Sequence, residues 1–255
     1  AAITDIYQNS ILKDSSRNSF MIKRMEDLAD RTVWAMGEQL KCGDFVPFVF
    51  EHKFNMEVGD GDRKQLMSGT IDRVDICENG TDVYVRIIDY KTGKKDFNIV
   101  KTYYGIDIQL MVYMEAAMKL VAKMRPGKNV IPAGVFYYNI SDPIVSATTE
   151  SAEEIEDKIK GELRLKGMVN SDKDIAEKMD NTGGTSLNIP VSRKADGGFD
   201  SRRSKVMNTE QFNMLGRFVD VRAVDTADRI AGGDIRRSPY KDGQFSSCDR
   251  CPYGA

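Results

Sequence analysis

The sequence predicts an α/β domain whose central block runs β-β-β-α-β, a hairpin sheet with a helix packed on it. Three observations carry this reading. Residues 68–77 (SGTIDRVDIC) alternate like a strand, and residues 83–91 (VYVRIIDYK) return antiparallel to them across Asn79-Gly80, a strong hairpin signal. Residues 105–124 place Leu110, Met114, Ala117 and Val121 on one helical stripe. Residues 130–140 (VIPAGVFYYNI) form a further apolar run of strand length.

The flanking elements follow in order. Residues 17–41 read as a helix, with Met21, Met25, Leu28, Ala35 and Leu40 at helical spacing and Gly43 as a stop. Residues 46–55 (VPFVFEHKFN) read as an aromatic-rich strand. After residue 150 the texture changes. Ser151 and Glu154 form a capping box before a charged helix. Residues 180–205 are rich in Gly, Asn and Ser and poor in apolar residues. Residues 209–231 are helical again and end at Gly232-Gly233. The tail is turn-rich and holds the pair Cys248-x2-Cys251.

With 41% hydrophobic and 30% charged residues, the 255-residue chain can bury a sizeable core. Its formal charge of −2 excludes no partner, since a basic groove can sit on a neutral protein. No apolar run approaches the ~20 residues of a membrane span. Residues 1–30 are polar and charged, so a signal peptide is not expected. Four cysteines are too few for a disulfide scaffold of this size, and the cytoplasm is the expected compartment.

The chemistry-bearing stretch is IIDYKTG. On a strand, Asp89 and Lys91 point the same way. The partner strand offers Asp72, in GTIDRVD, so two carboxylates can meet at one divalent ion. Their mutual repulsion raises each pKa, and a cation relieves it. Oxygen ligands with room for waters suit Mg²⁺ or Mn²⁺, which screens a phosphate and lowers the pKa of bound water. An ammonium at Lys91 would orient that water or stabilise charge on the phosphoryl oxygens. The same Asp-x-Lys pattern also fits a solvated strand end whose ion pair is worth ~0–1 kcal/mol. Gln109 and Tyr113 lie four apart on the next helix, at the border of its apolar stripe, and suit contacts to phosphates or bases.

GTIDRVD, IIDYKTG and QLMVY, in this order and at these spacings, resemble the motifs of RecB-type PD-(D/E)xK nucleases over residues 46–140. WAMGEQLKCGDFVPFVFEHKF, TEQFNMLGRFVD, GDIRRSPY and CDRCPYGA extend the resemblance over nearly the whole chain. They point to the nuclease domains of AddB-type subunits of AddAB ATP-dependent helicase–deoxyribonucleases. The resemblance implies a restriction-endonuclease-like fold, a mixed central sheet flanked by helices. It implies one domain over 1–255, with a core at 46–145, a helical and loop extension at 151–245 and a partial cysteine motif at 246–255. It also implies a Mg²⁺-dependent (exo)deoxyribonuclease working in double-strand-break repair beside an AddA-type helicase–nuclease partner. By carry-over, Asp72, Asp89 and the Tyr90 carbonyl hold the metal, Lys91 is the catalytic lysine, and Gln109 and Tyr113 contact single-stranded DNA. Glu51 matches a glutamate often seen in the preceding strand.

Two departures qualify this. The family's upstream metal-binding histidine has no counterpart, because the only histidine is His52. The four cysteines that hold the family's [4Fe–4S] cluster are represented by Cys248 and Cys251 alone, so substoichiometric iron is expected. Cys42 and Cys77 do not match and read as core thiols. The sequence thus reads as a fragment of the family's domain. No phosphate loop of the G-x4-G-K-[ST] type is present, and no motor activity is expected. Lys91, Lys94, Lys95 and Lys101, and Arg193, Lys194, Arg202, Arg203 and Lys205, are candidate phosphate contacts. Tyr103, Tyr104 and Phe199 are candidates for base stacking. Two other readings stay open: a module that binds DNA without cutting, and a stand-alone RecB-like exonuclease.

Overall fold

The computed structural model describes residues 15–58, 64–146, 151–236, 238–243 and 245–251. Its centre is a six-stranded mixed sheet in the spatial order β1-β2-β3-β4-β5-β6. The strands are β1 (Val46–Val58), β2 (Gln65–Asn79), β3 (Asp82–Lys91), β4 (Asn129–Asn139), β5 (Lys166–Asn170) and β6 (Val206–Met207). The first three form an antiparallel meander. β3 and β4 run parallel from Asp82↔Asn129 to Lys91↔Asn139, β4 and β5 antiparallel, and β5 and β6 parallel. The helices are α1 (Ser16–Lys41), α2 (Ile99–Tyr103), α3 (Gln109–Met124), α4 (Ala152–Glu162), α5 (Lys173–Met179) and α6 (Thr209–Ala231). This is the predicted mixed sheet with flanking helices.

The sequence dictates this locally. Asn79 and Asp82 close a two-residue turn in which Gly80 sits at φ 60, a left-handed geometry that glycine takes without steric cost. Residues Val83–Asp89 are all buried, so β3 is covered on both faces, as a strand with a parallel neighbour must be. One face packs Val74, Ile76, Val85 and Ile87 against Leu110, Met114 and Val121 of α3 and Phe212 and Val219 of α6. The other packs Tyr84, Ile88, Phe136 and Tyr138 against Ala35 of α1 and Ile175 and Met179 of α5. At Gly167 a Cβ would lie 1.9 Å from the Val135 carbonyl oxygen, so only glycine lets β5 close on β4.

Several expectations are corrected. The helix expected over 105–124 begins only at Gln109, and a separate short helix, α2, precedes the expected range. α2 ends at Tyr103, Gly105 turns at φ 74, and residues 105–108 lead into α3. The break exists because Asp107 is buried between them, accepting from the Tyr137 hydroxyl at 2.7 Å. Met21 and Met25 of α1 are exposed, and its buried residues are Thr32, Ala35 and Gln39. Cys77 lies in the core, whereas Cys42 is only half-buried, its thiol 3.2 Å from the Glu38 carbonyl. β5 and β6, which join the sheet, come from the stretch after 151 that reads as helices and loops.

The segment after Met179 is irregular but tied down. Burial pushes the Asp180 carboxyl up, yet donors from Ser186, Thr182 and Asn188 outweigh this and hold it below the usual carboxylate range. Arg193 donates to the carbonyls of Ala176 and Asp180 at 2.8 and 2.7 Å, and Phe199 packs on the second core cluster. Neither is therefore presented to DNA as expected.

Two charged features of the core generate predictions. Asp75 is buried between two buried arginines. It takes Arg73 Nε at 2.6 Å and Nη2 at 2.8 Å, and Arg86 Nε at 2.9 Å. Asp75→Asn leaves two buried guanidinium groups without their counter-charge. It should cost about 3–5 kcal/mol in urea unfolding, and a loss under about 1 kcal/mol would contradict the pairing. Between α3 and α6, Glu115 packs against Gly216 and faces Asp220, with Lys119 and Arg217 nearby. Burial, then Asp220, raises the Glu115 carboxyl above its ordinary value. Its ionised form therefore weakens the fold as pH rises through the ordinary carboxylate range and beyond. Glu115→Gln should melt higher than the parent at neutral pH, and the gap should close in acid. A lower melting temperature at neutral pH would contradict this.

Candidate active site

The end of β3 brings three charged groups together. Asp89 is buried, and its neighbour two places on, Lys91, emerges on the same face and forms an ion pair with it. Asp72 stands one step beyond the last paired residues of β2 and β3, Arg73↔Ile88, which puts it across from Asp89. The Tyr90 backbone N–H donates to Asp72 Oδ2 at 2.7 Å, fixing that carboxylate against the strand. Burial, foremost, raises the Asp89 carboxyl above its ordinary value. Lys91 and Lys95 pull it down, and the negative charge of Asp72 pushes it up. The negative charge of Asp72 thus reaches the Asp89 carboxyl.

α3 closes the site from above the sheet. Gln109 Nε2 lies 3.2 Å from Asp89 Oδ1 and 2.9 Å from the Tyr113 hydroxyl, so the Gln-x3-Tyr pair is wired to the carboxylate. Tyr113 is braced edge-on by Phe54 of β1. This face is possible because the strand alternation breaks beside it. Ile71 and Val74 lie three apart yet enter the same core cluster. At this point β1 pairing steps from Phe50↔Arg73 to His52↔Ile71, and the residue across from Asp72 is Glu51, at φ 47. A left-handed glutamate within a strand carries backbone strain of about 1–3 kcal/mol. Glu51 is exposed.

Sequence reasoning missed the layer beneath. Tyr137, opposite Asp89 on β4, donates to Asp107, and Asp107 also pairs with Lys95 at 3.1 Å. The ammonium groups of Lys91 and Lys95 lie 5.7 and 4.8 Å from the Tyr137 ring centre. Burial, then Asp107, pushes the Tyr137 hydroxyl far above its ordinary value, so it is a fixed donor. The one sequence signal for Asp107 was a carboxylate between Gly105 and Gln109, inside what reads as a continuous helix. Beyond Lys95, a cavity of about 380 Å³ is lined by Lys94, Lys95, Asn139, Glu162 and Lys166. Burial, then Arg164, lowers the Lys166 ammonium.

The donor set can be tested against a metal. Among the described residues no three His, Cys, Asp or Glu side chains converge. Asp72 and Asp89 are two hard oxygen donors. Asp89 Oδ2 touches the Lys91 ammonium but has no well-formed hydrogen bond, although it is buried. That under-satisfied oxygen fits a cation that keeps most of its waters, as Mg²⁺ does, and not an all-protein cage. Cys248 lies within a short 3-10 helix (Ser247–Arg250), Cys251 caps its C-terminal end, and both are exposed, with Cys42 and Cys77 elsewhere in the fold. Among the described residues these are the only two thiols in that segment, which does not fit a four-thiolate cluster. His52 is half-buried in the groove between β1 and α3. Lys205 pairs with Asp96 and Arg203 with Asp200.

Over 256 residues the chain is 36% identical to the B-type component of the ATP-dependent helicase/deoxyribonuclease of Clostridium botulinum strain Hall and 35% identical to that of Thermoanaerobacter sp. strain X514. Each alignment covers 96% of this chain and 22% of the relative. The Clostridium tetani protein of the same name is 36% identical over 259 residues. The chain therefore spans about a fifth of the length of the curated relatives it matches. Residues 1–255 match the family described as the PD-(D/E)XK nuclease superfamily, and the chain belongs to that superfamily.

Proposed function

We propose that this chain is the DNA-cutting module of a helicase–nuclease, and that its reaction is hydrolysis of a phosphodiester. Water adds to phosphorus and one P–O ester bond breaks, leaving a phosphate monoester and a hydroxyl. The observation that supports this most is the convergence of Asp72, Asp89 and Lys91 at the end of a buried central strand. Asp72, Asp89 and the Tyr90 carbonyl are the proposed ligands of Mg²⁺ or Mn²⁺, which when bound would supply a water of lowered pKa and neutralise phosphate charge.

The chain's own groups have separable duties in this reading. The Tyr90 N–H and the Gln109 amide hold the two carboxylates in place. Lys91 is the cation that stabilises charge growing on the phosphoryl oxygens. Its ion pair with Asp89 and the Tyr137 ring beneath it set its position in advance. Gln109 and Tyr113 are proposed strand contacts, and Glu51 an accessory carboxylate on the strained turn of β1. The lysines beside the cavity at Lys94–Lys95 would take backbone phosphates, giving salt-sensitive binding without base preference.

The wider setting is inferred from the relatives, whose name joins a helicase to a deoxyribonuclease. We infer an AddA-type motor partner that supplies unwound DNA, exonucleolytic processing of broken ends for recombinational repair, and a cytoplasmic location suited to four free thiols.

Degradation of linear single-stranded DNA tests the reading. The parent chain should cut with Mg²⁺ and not with excess chelator. Asp72→Asn and Lys91→Ala should each lower the rate on the order of 10³-fold while melting within a few degrees of the parent. Normal cutting by either variant would remove the site assignment. Gln109→Ala should cost less, about tenfold to a hundredfold, because it acts through Asp89. A loss as large as that of Asp72→Asn would give it a more direct role.

A further inference from the structure

A chain of aromatic rings leads away from the charged site. Tyr103 and Tyr104, at the end of α2, are 58% and 51% exposed. Tyr103 stacks on Phe218 of α6, with ring centres 5.2 Å apart and planes 4° from parallel. Its edge meets Tyr104 at 5.2 Å, and Tyr104 leans on Tyr240 at 4.9 Å. Four rings from three separate segments thus make one continuous ledge, and its two central rings keep half their surface in water. Aromatic side chains contribute to stability chiefly by leaving water. Four rings gathered with the two central ones left half wet mark a surface shaped for a ligand.

The ledge is fastened to the site. Thr102 donates to the Asp107 carbonyl at 2.9 Å, and the Asp107 carboxylate holds Tyr137 and Lys95. Tyr104 precedes Gln109, the partner of Asp89, by five residues, which is at most about 18 Å of backbone. Lys95, paired with Asp107, lines the lysine-rich cavity. A ligand that spans ledge and site must offer flat π faces at one end and a phosphate at the other. Every base of an unpaired strand has such a face, while the bases of a duplex are already stacked.

We propose that Tyr103 and Tyr104, backed by Phe218 and Tyr240, form a stacking subsite for unpaired bases of single-stranded nucleic acid, whose phosphates run on past Lys95 to Asp89. The proposal rests on the nuclease reading for its direction, and its test is separable from that reading. Fluorescence anisotropy with the whole 255-residue chain in chelator measures binding without cutting. Labelled oligo(dT) is compared with an abasic strand of the same length. The parent should prefer oligo(dT) by about tenfold or more. The double variant Tyr103→Leu, Tyr104→Leu, which keeps apolar bulk, should lose that preference and bind the abasic strand as the parent does. The double variant Tyr103→Phe, Tyr104→Phe should retain it.

Equal affinity of the parent for both strands would overturn the subsite, and this measurement stands even if the leucine variant unfolds. Unchanged oligo(dT) binding by the leucine variant, or equal loss for both strands, would overturn it too. The latter results would point to a protein surface docking on the ledge. A chain that shows the base preference yet never cuts with Mg²⁺ supports the subsite and removes the nuclease reading.

Discussion

The arrangement depends on keeping a negative charge where burial opposes it. Asp89 stands near the end of a strand, its six preceding residues all buried, and its carboxyl is pushed toward the neutral form by that burial and by Asp72. Lys91, two places along the same strand, opposes both effects with an ion pair. Lys95 adds a second positive charge from the next loop. The period of two along a strand is what makes this possible, since it places both groups on one face without any tertiary adjustment. Most of the remaining architecture steadies this charge. β4 brings the Tyr137 ring under the two lysines, α3 brings Gln109 over the carboxylate, and Asp107 fixes both Tyr137 and Lys95.

The reverse face of the sheet serves the same end. Arg73 follows Asp72 and therefore points away from it, into the trio with Asp75 and Arg86. Arg73 Nη1 also lies 3.5 Å from the Tyr90 hydroxyl. The N–H of the same tyrosine holds Asp72 on the front. One residue thus touches the charged networks on both sides of the sheet, through its side chain behind and its backbone in front. Arg86 adds a cation–π contact with Phe45, 4.9 Å from the ring centre, which anchors the start of β1 to the trio.

Much of this was legible in the sequence, because the informative parts are local. The hairpin at Asn79-Gly80 fixes which residues of β2 and β3 oppose each other, and that register alone brings Asp72 beside Asp89. The helical spacing of Gln109 and Tyr113 likewise needs no tertiary knowledge. What escaped depends on contacts distant in sequence. Asp107 reads as one more polar residue of a helix until Tyr137, thirty residues later, is placed next to it. Arg193 and Phe199 sit in a glycine-rich stretch that reads as a solvated loop, yet a buried carboxylate at Asp180 turns it inward. Met21 and Met25 have helical spacing but no sheet beneath them, and periodicity cannot tell how far a core extends.

The sheet is finished by its most distant pieces. β5 joins β4 some thirty residues further on, and β6 joins β5 only at Val206–Met207, just before α6 arrives with Phe212 and Val219 to cover the first core cluster. During synthesis the hairpin of β2 and β3 would emerge complete, acidic groups already opposed, while α3 alone covers its apolar face until α6 arrives more than a hundred residues later. Ribosome-bound intermediates of this chain would therefore hold a formed but half-covered centre, with apolar surface exposed until α6 has left the exit tunnel.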